Sequence, residues 1–271
     1  MMLRVGYELL YDCPQPTPMI LMLHTHYSRA EDIQVADLLI ANPPVPIRPY
    51  RDGFGNLCSR IVAPVGQISL STTALIRVSD QPETQPADGR QHKVEDLPDD
   101  CLVYLLGSRY CETDLLSDLA WRLFGQSPPG RARVQAICDF VHGDIAFGYE
   151  HARPTKTAAQ TYEEGRGVCR DFTHLAVALC RAMNIPARYC TGYISDVGTP
   201  QPWGAMDFAA WFEAYIGCSW QLFDPRNNEP RIGRVLMARG RDAADVAISN
   251  TFGPNLLLSF KVQCEPVEAG V

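Results

Sequence analysis

One cysteine occupies a position where its thiol could act as a nucleophile. Residues 165–174 begin with glycines in a short loop and run into an apolar helical pattern, with Cys169 in its first turn. The unpaired backbone N–H groups and the positive dipole end of a helix favour a thiolate and can also stabilise an oxyanion. A thiolate at this place could attack a carbonyl carbon. A structural cysteine at a helix start would give the same local pattern, so this segment alone leaves both interpretations open.

A second segment supplies a carboxylate on a predicted hairpin. Two strand-like runs, 210–216 and 220–224, flank Gly217 and Cys218, which predicts a two-residue loop. In that register position 211 faces position 224, and positions 209 and 224 form a diagonal pair on one face, roughly 7–8 Å apart. A histidine ring at 209 would then reach Asp224. A three-residue loop would place the two positions on opposite faces unless a bulge restored the phase.

Three motifs together resemble a known family. They are Gly-x-Cys-Arg-Asp at 167–171, Asp-x-x-Ala-Trp-Phe-Glu-Ala-Tyr at 207–215, and Trp-x-x-Phe-Asp at 220–224. This set resembles the bacterial transglutaminase-like family, whose members are related in fold to papain-type cysteine proteases. The resemblance covers residues 130–255, and the β-rich segment before it is similar to one often fused ahead of this core. It implies a catalytic core in which helices pack on an antiparallel sheet.

The resemblance also implies roles for three positions. By position, Cys169 is the nucleophile and Asp224 orients the general base. The base of the family is a histidine at position 209, and this chain has Ala209 there. A methyl group can neither accept the thiol proton nor return a proton to a leaving amine. We therefore expect an architecture for acyl transfer or hydrolysis at amide bonds that is inactive or nearly so in this chain.

Two origins of Ala209 are compatible with the sequence. The first is a substitution introduced into an otherwise active enzyme. The second is a natural pseudoenzyme that binds peptides or partner proteins without turnover. The undisturbed motifs around Cys169 and Asp224 favour the first. In either case the expected ligand is a peptide, a protein or a small amide.

Other histidines are weak substitutes for the missing base. His174 follows Cys169 by five residues on the same predicted helix, so it points about 140° away. We expect His174 to be a hydrogen-bonded histidine of the core. His151 lies in a predicted loop from which it could approach the cleft, and it is retained as a less favoured surrogate. The arginines of the 231–241 tract are expected to form ion pairs, with binding of an anionic substrate as the alternative.

The remaining segments predict an α+β chain in three parts. Alternating residues before position 80 indicate a small β-rich domain, 1–79, and the polar, proline-bearing stretch 80–100 indicates a linker. Helical patterns and then strands define a catalytic core over 101–271. Within it, residues 256–262 are expected to close the core sheet.

Composition limits the partners and cofactors. Hydrophobic residues make up 46% and the formal charge is -7, which argues against a nucleic-acid groove. No apolar run approaches the length of a membrane span, and no leader is evident, so a cytoplasmic location without membrane contact is expected. The ten cysteines form no Cys-x-x-Cys pair, so we expect mostly buried thiols. No metal or other cofactor is expected, and the sequence does not indicate an oligomeric state.

Overall fold

The chain folds as a mixture of antiparallel sheets and helices. A computed structural model describes residues 1–84, 89–201 and 203–267. The predicted α+β class is confirmed, with a β-rich region ahead of a core in which helices pack on an antiparallel sheet. Within the described ranges, no helix has the length and apolar character needed to cross a membrane.

The first part of the chain is built from strands. In chain order these are β1 (Met2–Cys13), β2 (Thr17–Leu21), β3 (Ile33–Val35), β4 (Ile40–Asn42), β5 (Arg48–Arg51), β6 (Leu57–Ala63) and β7 (Gly66–Arg77). The side chains of Leu3, Val5 and Leu9 are buried in β1, whereas Arg4 and Glu8 are exposed. The alternation read from the sequence therefore corresponds to a strand with one face in the core.

The remaining elements contribute helices first and strands afterwards. In chain order these are α1 (Asp99–Leu102), α2 (Thr113–Phe124), α3 (Arg131–Asp144), β8 (Ala146–Phe147), α4 (Ala158–Glu164), β9 (Arg166–Gly167), α5 (Cys169–Ala182), β10 (Ala187–Ile194), β11 (Ala209–Ile216), β12 (Ser219–Phe223), β13 (Arg234–Gly240), β14 (Ser249–Thr251) and β15 (Leu256–Val267). Short 3₁₀ turns cover Tyr27–Asp32, Val94–Asp96, Val103–Leu105 and Tyr149–His151.

The core sheet has the order β12-β11-β10-β13 and is antiparallel. Helix α5 packs on it, and α2, α3 and α4 pack against α5. From Asp171 to Arg181 every residue of α5 is buried, which is why its sequence is apolar around most of its circumference. Because α5 is held on all sides, Cys169 at its first residue has a fixed position relative to the sheet.

The last strand does not close the core sheet, so that expectation was wrong. Strand β15 pairs antiparallel with β1, for example Val5 with Cys264, in the sheet ordered β15-β1-β7-β3, where β4 also pairs with β7. Strand β14 likewise joins β2 in the sheet ordered β14-β2-β6-β5. Strand periodicity reports which face of a strand is buried but not which strand lies beside it.

The N-terminal sheets and the core sheet share buried surface. One apolar cluster contains Leu3 and Val5 of β1 together with Tyr193 of β10 and Val235 of β13. The predicted domain limits 1–79, 80–100 and 101–271 stay a prediction. Of the predicted linker, residues 85–88 lie outside the described residues, while Glu83 forms an ion pair with Arg234 at 2.6 Å.

Candidate functional site

The loop before α5 fixes where Cys169 begins the helix. Gly165 ends α4 with a left-handed φ of 63°, and Asp171 Oδ2 accepts the Val168 N–H at 3.0 Å. A Cβ atom on Gly167 would lie 2.6 Å from the Asp171 Cβ, so only glycine allows this carboxylate to fold back over the helix start. The Gly-x-Cys-Arg-Asp motif is therefore a helix-start motif that presents a thiol.

The Cys169 thiol is held in its neutral form. Burial raises its pKa to about 11, and the negative charges of Asp207 and Asp224 act in the same direction. Hydrogen bonds from the backbone at Ala210 and Arg170 lower the pKa but do not outweigh burial. The hydrogen bond at the helix start thus favours the thiolate, as expected, but burial of the sulfur outweighs it.

Cys169 and Ala209 line the same two cavities. The larger cavity, about 460 Å³, is also lined by the rings of Tyr110, Tyr149 and Tyr189. The smaller one, about 240 Å³, extends from the thiol toward Arg226 on the other side. The thiol therefore lies where an apolar and a more polar cavity meet.

The hairpin has the predicted two-residue loop. Gly217 and Cys218 have φ angles of 59° and 63°, and Ile216 pairs with Ser219 across the turn. Both positive φ values are those of a type I′ turn. Phe212 pairs with Phe223, and continuing this register places position 224 opposite 211. The predicted register is confirmed.

Asp224 is buried at the end of β12 and its oxygens are fully used. They accept hydrogen bonds from Arg226 N at 3.2 Å, Asn227 N at 3.0 Å, Asn227 Nδ2 at 2.7 Å and Arg234 Nη2 at 3.0 Å. Sequence reasoning missed Arg234 and Asn227 as partners, although Asp followed by Pro-Arg-Asn is a turn signal. Asp224 is thus held by partners other than an imidazole, and it is not among the residues that line either cavity at Cys169, although its charge acts on the thiol.

The histidines lie outside the linings of the cavities at Cys169. All six belong to the described residues, and none of them lines either cavity at Cys169. His174 is fully buried, its ring lies 5.0 Å from those of Tyr110 and Tyr189, and its Nε2 accepts the Ala243 N–H at 3.1 Å. Burial holds the pKa of His174 well below its usual value. The expectation of a core histidine is confirmed.

His151 does not line either cavity at the thiol. Its neighbours Tyr149 and Ala152 line the larger cavity, but its own Nε2 lies 3.6 Å from the Glu150 carboxylate. The structure gives no contact through which His151 would act on Cys169.

The arginines of the 231–241 tract form ion pairs, as expected. The pairs are Arg231–Asp196 at 3.6 Å, Arg234–Asp224 at 3.0 Å, Arg234–Glu83 at 2.6 Å, Arg239–Glu213 at 3.2 Å and Arg241–Asp245 at 2.8 Å. Each of these guanidinium groups already has a carboxylate as its ion-pair partner. The tract therefore stabilises the core around Asp224, and the alternative of an anionic substrate gains no support.

All ten cysteines are free thiols in the described residues. Eight are buried, Cys169 is partly buried, and Cys218 is exposed. This distribution agrees with the expectation that most cysteines act as small apolar residues. It also means that Cys169 differs from the buried thiols by lining a cavity.

Comparisons with known proteins identify the family. The model of the transglutaminase-like superfamily matches residues 117–225, a range that includes Cys169, Ala209 and Asp224. A solved structure from Cytophaga hutchinsonii, provisionally named a cysteine protease, has a TM-score of 0.83 and 33% sequence identity, covering 100% of this chain and 92% of that chain. The chain belongs to the transglutaminase-like superfamily.

Two uncharacterised mycobacterial proteins are also similar. One from Mycobacterium leprae (strain TN) is 36% identical over 85 residues, and the match spans 30% of each chain. One from Mycobacterium tuberculosis (strain H37Rv) is 24% identical over 258 residues, covering 86% of this chain and 82% of that protein. Neither name carries an activity, so neither adds to the function of this chain.

Proposed function

We propose that this chain has the architecture of a cysteine-dependent enzyme for acyl transfer or hydrolysis at amide bonds, and that it is inactive or nearly inactive as written. The observation that carries the proposal is one cavity that combines a helix-start thiol, Cys169, with a methyl group, Ala209, at the position of the base. Peptides, proteins or small amides are the proposed ligands.

In a complete site the thiol would lose its proton to an imidazole at 209 and attack the carbonyl carbon. The imidazolium would then protonate the departing amine, leaving a thioester that an amine or water resolves. Asp224 would hold the imidazolium. With Ala209 neither proton transfer has a carrier, and losses of this kind cost several orders of magnitude in rate.

The neutral state of the thiol supports low activity. With a pKa of about 11, Cys169 would be ionised in about one molecule in ten thousand at pH 7. The nucleophile is the thiolate, so the native chain would acylate slowly even with a good substrate.

A natural pseudoenzyme is the second proposal. A cavity of about 460 Å³ lies beside the thiol, and its tyrosine rings offer an apolar surface with polar edges. Such a cavity supports binding of peptide-like ligands without turnover. The two proposals differ in whether an imidazole at 209 is sufficient to start chemistry.

The variant Ala209→His tests the proposal. Native chain, Ala209→His and Ala209→His/Cys169→Ser are incubated with p-nitrophenyl acetate and with a peptide amide, and acyl-enzyme is measured by intact mass. We expect acylation of Ala209→His at least about a hundredfold faster than that of the native chain. We expect no acylation when Cys169 is replaced.

Three outcomes are informative. Acylation of the native chain as fast as that of Ala209→His would contradict the proposed inactivity. Acylation that survives Cys169→Ser would contradict Cys169 as the nucleophile. A folded Ala209→His variant that binds peptide but is not acylated would favour the pseudoenzyme.

A further inference from the structure

Asp207 is a carboxyl group that faces the Cys169 thiol. It precedes Ala209 by two residues and lines both cavities that meet at the sulfur. Its Oδ1 accepts the N–H of Phe208 at 2.7 Å. Among the residues that the structure describes, no lysine, arginine or histidine forms an ion pair with Asp207, and no second donor reaches its carboxylate.

The arginines near the thiol contact groups other than Asp207. Arg170 pairs with Asp171 at 3.0 Å, Arg153 pairs with Glu164 at 2.7 Å, and Arg231 lies 3.6 Å from Asp196. Arg226 stacks over the ring of Phe147 at 4.3 Å and donates to Asn227. The negative charge of Asp224 is matched by Arg234 at 3.0 Å. Asp207 is thus the carboxylate at this thiol without a cation beside it.

The tyrosines at the same cavity do not supply a counter-charge. Burial raises the pKa of Tyr149 and of Tyr189, so both phenols stay neutral at physiological pH. The charge of Asp207 raises the pKa of Tyr149 further. Arg226 lines the smaller cavity and its charge lowers the pKa of Tyr149, but among the described residues it forms no ion pair with Asp207.

We infer that Asp207 is a positioning residue that keeps Cys169 in its neutral thiol form and so suppresses the nucleophile independently of the missing histidine. Two negative charges in one partly buried cavity repel strongly because the protein screens them less than water does. Burial also raises the pKa of the Asp207 carboxyl. The inference depends on the proposed function only in taking Cys169 as the nucleophile.

The test compares Asp207→Asn with a matched variant, Asp196→Asn. Asp196 lines the smaller cavity as well, but it is paired with Arg231. Both changes are made in a Cys218→Ser background, because Cys218 is the exposed thiol that would react first. Alkylation of Cys169 by iodoacetamide is followed by peptide mapping from pH 6 to pH 11.

We expect Asp207→Asn to move the alkylation profile to lower pH and to raise the rate at pH 8 roughly three- to tenfold, since one pKa unit is a tenfold change in thiolate. Asp196→Asn should leave the profile in place. Asparagine keeps the Oδ1 acceptor for Phe208, and equal melting temperatures of the three chains confirm that the fold is intact.

An unchanged profile for Asp207→Asn, or an equal shift for Asp196→Asn, would overturn the inference. Neither result depends on turnover, so this failure is separate from failure of the proposed function. Conversely, a shift with Asp207→Asn that is accompanied by no acylation of Ala209→His would support the role of Asp207 while contradicting the acyl-transfer architecture.

Discussion

Asp224 illustrates how the site is held without an imidazole. Its four acceptor positions are occupied by two backbone N–H groups, the Asn227 amide and the Arg234 guanidinium. Burial lowers the pKa of Arg234, but the carboxylates of Asp224 and Glu83 outweigh it and raise that pKa above its ordinary value. A histidine at 209 would need to share or displace one of these donors, because both oxygens of the Asp224 carboxylate already accept hydrogen bonds.

The first prediction concerns the buried Arg234–Asp224 pair. Arg234→Leu leaves Asp224 and Glu83 without their cation, and we expect a loss of about 3–5 kcal/mol in the free energy of unfolding. The matched control is Arg241→Leu, because Arg241 pairs with Asp245 at a more exposed place and should cost less than about 1 kcal/mol. Urea unfolding measures both losses, and equal losses would contradict the claim that the buried Arg234 pair contributes more stability than the exposed Arg241 pair.

At the scale of elements, the β11–β12 hairpin decides whether positions 209 and 224 belong to one site. A one-residue change in the loop would turn every side chain of one strand to the other face. Gly217 and Cys218 both adopt positive φ, which suits glycine and asparagine much better than cysteine. The Cys218 N–H donates to His92 Nε2 at 3.0 Å, and this hydrogen bond holds the turn against the segment that contains His92.

A second prediction follows for this turn. Cys218→Gly keeps the backbone N–H and removes the cost of a side chain at a φ of 63°, so we expect a gain of about 0.5–1 kcal/mol in stability. Gly217→Ala, at a φ of 59°, should destabilise by a comparable amount. Thermal unfolding monitored by circular dichroism compares the two variants. The Cys218 Sγ also lies 3.6 Å from His92 Nε2, and destabilisation by Cys218→Gly would show that this contact outweighs backbone strain.

Local patterns predicted the hairpin, α5 and β1 because each is encoded by neighbouring residues. The Gly167 requirement and the buried His174 also follow from short-range geometry on one helix. The position of β15 could not be predicted, since its partner β1 lies more than 240 residues earlier and many strands share its alternation. Asp207 was missed for a related reason, because the absence of a nearby cation is visible only in three dimensions.

At the scale of the whole molecule, buried thiols connect stability to pH. Burial raises the pKa of Cys111 and of Cys264 to about 12 and that of Cys169 to about 11, against an ordinary value of 9.0. The folded chain therefore keeps these protons at pH values where the unfolded chain releases them. Stability from this source is complete below the unfolded pKa and is lost as pH rises toward the folded pKa.

The corresponding prediction is a fall in stability between pH 9 and pH 11. Each such thiol contributes a loss of about 1.4 kcal/mol per pH unit above its unfolded pKa. Melting temperatures recorded from pH 7 to pH 10.5 should be level at first and then decline steeply. A melting temperature that stays constant through pH 10.5 would show that these thiols are not retained as neutral groups in the folded chain.

The cavity at Cys169 is lined by residues from both halves of the molecule, which share a buried core. Ser249, the first residue of β14, pairs with Leu21 of β2 and lines the larger cavity together with Cys169, so the cavity is built jointly by the N-terminal sheets and the core sheet. The apolar cluster that includes Met22, Tyr189 and Ala210 joins these sheets beside the thiol. The shape of this cavity therefore depends on both halves of the molecule.

The ionisation of Cys169 with and without an imidazole at 209 tests most directly the proposal that Cys169 is a nucleophile left inactive by Ala209. Alkylation rates of Cys169 are recorded against pH for the native chain and for Ala209→His, each in the Cys218→Ser background. We expect the native thiol to react only as pH approaches 11, and the Ala209→His thiol to react already near pH 7 because a thiolate–imidazolium pair forms. Coincident profiles for the two chains would mean that position 209 does not serve the thiol, and the proposed site would be wrong.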